Sequence, residues 1–189
     1  MITALLRRAA RAVFADYRLN WVLRSPAEPA VFPLATGLTV RALTASDLDG
    51  LREEPDTKLR NSAGHSTAGA SGFALVEGGA LRCVTHYAGP DCYFEAAIWP
   101  LSPRELALTD IVTRGPDRGR GLAPLLIANA TPLALAAASA NSAICFIWWN
   151  HHASLRAFDR AGWRWIGFSI EVTTRGGRVW RRRVSLAKG

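Results

Sequence analysis

Three observations predict a single α/β domain. At 189 residues and 49% hydrophobic, the chain has enough apolar surface for one real core and too little length for two ordinary ones. Apolar runs with the two-residue period of strands alternate with runs at helical spacing. Glycine-containing turns stand between them, where strand pairs and strand-to-helix corners need them. The 23 Lys and Arg outnumber the 15 Asp and Glu, giving a formal net charge of +8. That excess is nearly all arginine and suits phosphate-bearing partners such as coenzymes, nucleic acids or anionic membranes.

The elements follow in order. Leu6, Ala9, Ala10, Val13 and Tyr17 fall at helical spacing with Arg7, Arg8, Arg11 and Arg18 mostly on other faces, which predicts a basic amphipathic helix. Its apolar face is expected on the protein's own body or a second subunit, with an anionic membrane surface as the alternative. The same arginines interrupt any apolar core of a secretory leader. Three prolines between Ser25 and Gly37 read as a linker, so residues 1–37 are expected to be an extension and 38–189 the main domain.

That domain opens with the alternating strand "LTVRAL" and the helix "TASDLDGLREE", for which Thr44 or Ser46 offers an N-cap. "RNSAGHSTAGASG" is small and polar and reads as a loop. "FALVEGGALRCVTHYAG" predicts a hairpin turning at Glu77-Gly78-Gly79. After the apolar run "CYFEAAIWPL" comes the strand "ELALTDIVT". The helix "LAPLLIANATPLALAAASA" follows, with Pro124 tolerable in its first turn and Pro132 expected to kink or split it. "AICFIWW" is a buried strand, "ASLRAFDRAG" a short helix ended by Gly162, and "WRWIGFSIEVTTRGGRVWRRRVSL" a hairpin around Gly176-Gly177.

Between the strand "ELALTDIVT" and its helix stands Arg118-Gly119-Arg120-Gly121. Two glycines at a strand-to-helix corner mark a sharp turn or a close approach, and free N–H groups at a helix start suit an anion. The stretch Arg118-Gly119-Arg120-Gly121-Leu122-Ala123 fills every fixed position of an Arg/Gln-x-x-Gly-x-Gly/Ala turn, and "NHHASLRAFDRAGW" follows at a fitting distance. Together with the element order, these residues resemble the GNAT superfamily of N-acetyltransferases over about residues 38–186.

The resemblance implies a mixed, mostly antiparallel central sheet flanked by helices, and acetyl-CoA as co-substrate with no metal. It implies that a short acyl group passes to an amine by direct attack. Coenzyme contacts would fall on the turn itself (Arg118, Gly119, Arg120, Gly121, Leu122 and Ala123), on the strand backbone of Ile111, Val112 and Thr113, and on Asn150, Ser154 and Phe158. A side chain at either glycine would hold the pyrophosphate away. The sequence departs from the family at two points. Phe158 stands where a tyrosine commonly serves as general acid, which leaves His151, His152 or a water for that role. His151 also occupies the usual asparagine position, with Asn150 one residue early. For the base, Asp110 lies in an otherwise apolar strand, where burial would raise its pKa, with Glu105 and Glu95 as alternatives. An ion pair with one of the arginines is the competing role for Asp110.

Other features have plainer roles. Cys83, Cys92 and Cys145 form no CxxC pair, which argues for a reducing compartment and against zinc or a disulfide frame. Cys145 in particular reads as a small buried hydrophobe. Trp99, Trp148, Trp163 and Trp165 are candidates for an aromatic acceptor site or for the core. Arg181 and Arg183 would share a face opposite Arg182, near Trp180, as a solvated edge strand or an RNA-binding face. The alternative to an enzyme is a catalytically degenerate GNAT-like module that binds CoA or a nucleic acid, the latter being the less favoured partner. A homodimer fits the amphipathic helix, and no run is long enough to span a membrane, which together with the cysteines suggests a cytoplasmic protein.

Overall fold

The protein is described here as a computed structural model, which defines residues 14–93 and 98–186. One sheet of eight strands organises it: β1 (Phe14–Arg24), β2 (Leu38–Ala42), β3 (Ser71–Glu77), β4 (Ala80–Ala88), β5 (Glu105–Thr113), β6 (Ser142–Trp148), β7 (Arg164–Thr174) and β8 (Val179–Ser185). Their order is β2-β3-β4-β5-β6-β1-β7-β8. Every neighbouring pair is antiparallel except β5 with β6, which are parallel. Parallel neighbours need a crossover, and a helix between them supplies it.

The helices cover both faces. On one lie α1 (Ala45–Arg52) and α2 (Thr57–Thr67), burying Leu51, Leu59 and Ala63 against Ala74, Val76 and Val84. On the other lie α3 (Leu122–Ala137) and α4 (His152–Arg160), whose Leu126, Ile127 and Phe158 join Leu75, Tyr87, Leu106, Cys145 and Trp163 in the main core. Alternation along the strands keeps the two sets apart: Cys145 and Ile147 face α3, whereas Ile144 and Phe146 face the opposite side.

Thr44 caps α1 with a reciprocal pair of bonds, its Oγ1 accepting from the Asp47 N–H at 3.2 Å while the Asp47 carboxylate accepts from the Thr44 N–H at 2.7 Å. The hairpin β3–β4 turns at Gly78-Gly79 as expected, both with positive φ. β7 and β8 form the expected last hairpin, and β8 is an edge strand.

Three expectations need correction. The stretch read as a loop is mostly α2: Asp56 caps it by accepting from the Lys58 N–H at 2.9 Å, and Leu59 and Ala63, one turn apart, seal it onto the sheet. Packing of that narrow stripe outweighs the poor propensity of its Ser, Gly and Thr. α3 is a single helix through Pro132, not two. Pro132 brings no N–H to the Ala128 carbonyl, while the neighbouring Thr131 hydroxyl donates to the Ile127 carbonyl at 2.6 Å. The third concerns the start of the chain. Residues 1–13, which carry most of the expected amphipathic helix, lie outside the described residues, but Phe14–Arg24 is a strand and not the end of a helix. β1 fills the slot between β6 and β7, with Val22 and Leu23 fully buried. Both of its edges are hydrogen-bonded, which satisfies its backbone better than an appended helix end would. The expected boundary at residue 37 therefore cuts through the folded unit.

Candidate functional site

The site begins where β5 and β6 part. They pair from Glu105 with Ser142 to Leu108 with Cys145 and no further, although β5 stays bonded to β4 as far as Thr113 and β6 to β1 as far as Trp148. The cause is local. In β5, Leu108 and Asp110 face Tyr87 and His86 in succession, so Thr109 is an extra residue, and such a bulge bends its strand. Beyond it one edge of β5 carries no strand partner among the described residues.

Two openings meet at this fork. One, of about 440 Å³, is lined by Asp110, Ile111, Phe146, Trp148 and Asn150, among others. The second, of about 470 Å³, runs past Ile111, Val112 and Thr113 to Arg118, Gly119, Gly121, Leu122 and Ala123. Ile111, His151, Ser154 and Phe158 line both. Asp110 and the predicted coenzyme contacts other than Arg120 thus line two adjoining openings that share residues and form one channel, with Asp110 on the α1/α2 side of the sheet and the glycine turn on the α3/α4 side.

The glycine turn leaves open space on one side. Gly119 and Gly121 have φ of 82° and 76°, in the left-handed region, and a Cβ on either would meet no protein atom within 4 Å. Gly121 is the N-cap of α3 and provides no side-chain cap, so the first N–H groups of a 16-residue helix are left without one. Lys58, Arg118, Arg156 and Arg160 stand around the same opening. Uncapped N–H groups, the positive end of a helix and four cationic side chains form a donor set that fits a polyphosphate. Lys58 was not anticipated from the sequence. Arg156 and Arg160, four apart on α4, carried a readable signal in their spacing.

Arg120 behaves differently from its neighbours. Its guanidinium turns away from the opening to Glu77 at 2.7 Å and to the buried Asp117. The side chain braces the turn from behind. Arg118 donates to the Thr113 carbonyl at 3.2 Å and lies 3.5 Å from Asp56.

Asp110 sits in a polar cluster that the sequence did not reveal. The Ser62 hydroxyl donates to its carboxylate at 2.6 Å and lies 3.2 Å from His86 Nδ1, which is 4.0 Å from the same carboxylate oxygen. His86 is Asp110's cross-strand partner and is fully buried, with His65 stacked on it at 5.5 Å. Its Nε2 has no hydrogen-bond partner among the described residues. An unbonded lone pair is cheaper to bury than an unbonded N–H, so the proton belongs on Nδ1, where it can be donated to Ser62 Oγ. Burial holds His86 neutral, lowering its pKa to about 4, with the nearby His65 adding to the effect. Burial also raises the pKa of Asp110, against the opposing pull of the Ser62 bond and His65. Gly72 makes room for the ring, since a Cβ there would meet His86 Nε2 at 3.0 Å and Leu43 closer still. No arginine is paired with Asp110 among the described contacts.

The remaining candidates divide clearly. Glu105 is buried at the far end of β5, where it accepts from Arg24 at 2.9 Å and from Ser142. Glu95 lies outside the described residues. Phe158 is buried against Trp163, ring centroids 4.9 Å apart, at the junction of the openings. His151 Nδ1 and Ser154 Oγ are 3.0 Å apart at that same junction, whereas His152 lines neither opening. Of the tryptophans, only Trp148 lines the channel. Trp99 and Trp163 are core residues, and Trp165 packs on Trp21 at 4.3 Å. Cys145 is buried, and burial raises its thiol well above the ordinary range. In β8, Arg181 pairs with Glu171 at 2.6 Å and Arg183 lies over Trp99 at 5.8 Å, so two of the three clustered arginines are already engaged. No group of three potential metal ligands occurs among the described residues, and none of their helices is long and apolar enough to cross a membrane.

The amino-acid sequence matches no family model and no curated protein. Solved structures do match. A tandem GNAT protein from the clavulanic acid biosynthesis pathway, 15% identical, aligns over 98% of this chain and 59% of its own with a TM-score of 0.57. A GCN5-related N-acetyltransferase from Kribbella flavida, 13% identical, aligns over 100% of this chain and 64% of its own with a TM-score of 0.58. Aminoglycoside acetyltransferase AAC(6')-Ib in complex with coenzyme A and kanamycin, 14% identical, aligns over 78% and 94% with a TM-score of 0.54. This chain therefore spans less than two thirds of the first two proteins and nearly the whole of the third. With its forked sheet, its crossover helix and its glycine turn, the chain has the fold of the GNAT acetyltransferases.

Proposed function

We propose that this protein moves an acetyl or other short acyl group from acyl-CoA to an amine. The observation that carries the reading is the channel at the fork of the sheet, with a glycine turn that suits a polyphosphate on one side and a part-buried carboxylate on the other. A thioester held along the free edge of β5 would supply an activated carbonyl at the fork. An ammonium is unreactive until it loses a proton, and among the described residues Asp110 is the carboxylate at the fork, the other one lining these openings being Asp117, which is paired with Arg120 at the glycine turn. Its Ser62 bond fixes the carboxylate's orientation, and partial burial makes it a stronger base than an exposed aspartate. The amine nitrogen bonds to the carbonyl carbon, the carbon–sulfur bond breaks, and one proton is released overall. With Phe158 unable to donate, His151 and Ser154 are the polar side chains placed to protonate the departing thiolate.

Calorimetric titration with acetyl-CoA tests the first half, and release of free thiol on adding an amine tests the second. Stoichiometric binding followed by amine-dependent thiol release is expected. Binding without release by any amine would leave a coenzyme-binding module in place of an enzyme.

A further inference from the structure

We propose that the acceptor is a primary amine with a single positive charge on a flat apolar body, and not a polycation. The inference rests on the transfer reading above and concerns the α1/α2 side of the same channel. Strand alternation puts Phe146 and Trp148 on the face that carries Asp110, opposite the face of Cys145 and Ile147. Behind Phe146 lie Tyr93, with its ring stacked at 6.3 Å, and Trp99, edge-on at 6.5 Å. Trp148 stands at the open end of β6, lines the opening and is 47% exposed, so its ring is available to a ligand seated there.

Charge sharpens the class. Among the described residues, Asp110 is the single carboxylate lining this opening, and neither Lys nor Arg lines it. One carboxylate neutralises one ammonium, so a second ammonium on the acceptor would be desolvated without a partner. The protein's formal charge of +8 also disfavours polycations at long range. An aromatic ring beside the ammonium, by contrast, gains stacking area on Trp148 and Phe146. Multiply charged aminoglycosides and polyamines lack that match.

The test compares 2-phenylethylamine, hexylamine, spermidine and kanamycin with the full chain and acetyl-CoA. Equilibrium binding is read by calorimetry and transfer by thiol release. 2-Phenylethylamine is expected to bind at least tenfold more tightly than spermidine or kanamycin and several-fold more tightly than hexylamine. Trp148→Ala should erase its advantage over hexylamine, and Asp110→Asn should weaken both monoamines. Equal or tighter binding of kanamycin or spermidine would overturn the proposal, as would an unchanged preference in Trp148→Ala. The two readings fail separately. Tight aryl amine binding without thiol release sustains the acceptor class and refutes transfer, whereas thiol release driven best by kanamycin does the reverse.

Discussion

Removing the Ser62 hydroxyl takes away one of the hydrogen bonds that favour the ionised form of Asp110. The pKa of Asp110 should then rise further, and because only the carboxylate can accept a proton, the acid limb of kcat/KM should move to higher pH in Ser62→Ala. A loss of about tenfold at neutral pH is expected, with acetyl-CoA affinity unchanged. A profile that keeps its position would show Ser62 to be structural only. His86 makes a different prediction. Its folded pKa of about 4 lies below the ordinary value of about 6.5, so the unfolded chain binds a proton that the folded chain refuses. Its contribution is complete above pH 6.5 and is lost as pH falls towards 4, amounting at most to roughly 3 kcal/mol. The groups facing it are Asp110, Ser62 and His65. Asp110, with its pKa raised, works in the opposite sense, contributing stability at low pH that is lost as pH rises through its folded value. Thermal melting should therefore show a steeper fall between pH 6.5 and 4 for the natural protein than for His86→Gln. Parallel curves would contradict a neutral buried ring. Asp110 was legible in the sequence because it interrupts an apolar strand. Its partners were not, since Ser62 lay in a stretch without apolar pattern, and only strand pairing brings His86, 24 residues before Asp110, to its side.

At the scale of elements, the turn into α3 is the most informative piece. Gly121→Glu leaves the core untouched, because the space before its Cβ is open, though a non-glycine residue at φ 76° is strained by about 1–2 kcal/mol. The new carboxylate would stand among the uncapped N–H groups and take the place of an incoming phosphate. Calorimetry should find acetyl-CoA binding reduced at least a hundredfold in a protein that still melts cooperatively. Unchanged affinity would remove the turn from the coenzyme site. This turn could be read from the sequence because both glycines are demanded by backbone conformation, which needs no tertiary knowledge. Arg120 could not be assigned that way, since only the fold shows its side chain turned to Glu77 and Asp117. α2 escaped for a related reason: its stripe is only Leu59 and Ala63 wide, and tertiary packing makes it a helix.

For the whole molecule, β1 joins parts that the sequence suggests are separate. It contributes Val22 and Leu23 to the cores of the two faces and is the strand that joins β6 to the β7–β8 hairpin in the sheet. Deleting residues 1–35 should therefore abolish cooperative unfolding; a truncated chain that still melts cooperatively and binds acetyl-CoA would show the strand to be dispensable. Tyr17, Leu19, Trp21 and Leu23 do alternate, but Leu6, Ala9, Ala10, Val13 and Tyr17 also fall at helical spacing, and that period overran the start of the strand. The parting of β5 from β6 has little trace in sequence, since Thr109 becomes a bulge only against its partner β4. On the proposed function, the assembled sheet provides a passage with phosphate binding on one face and a base on the other, and Asp110 is where the two sides meet. Turnover against pH for the natural protein and Asp110→Asn, with acetyl-CoA and 2-phenylethylamine and thiol release as the signal, tests that account most directly. The variant should be slower by roughly a hundredfold or more at neutral pH, bind acetyl-CoA as before, and recover at high pH as free amine becomes abundant. Equal turnover at neutral pH would contradict it.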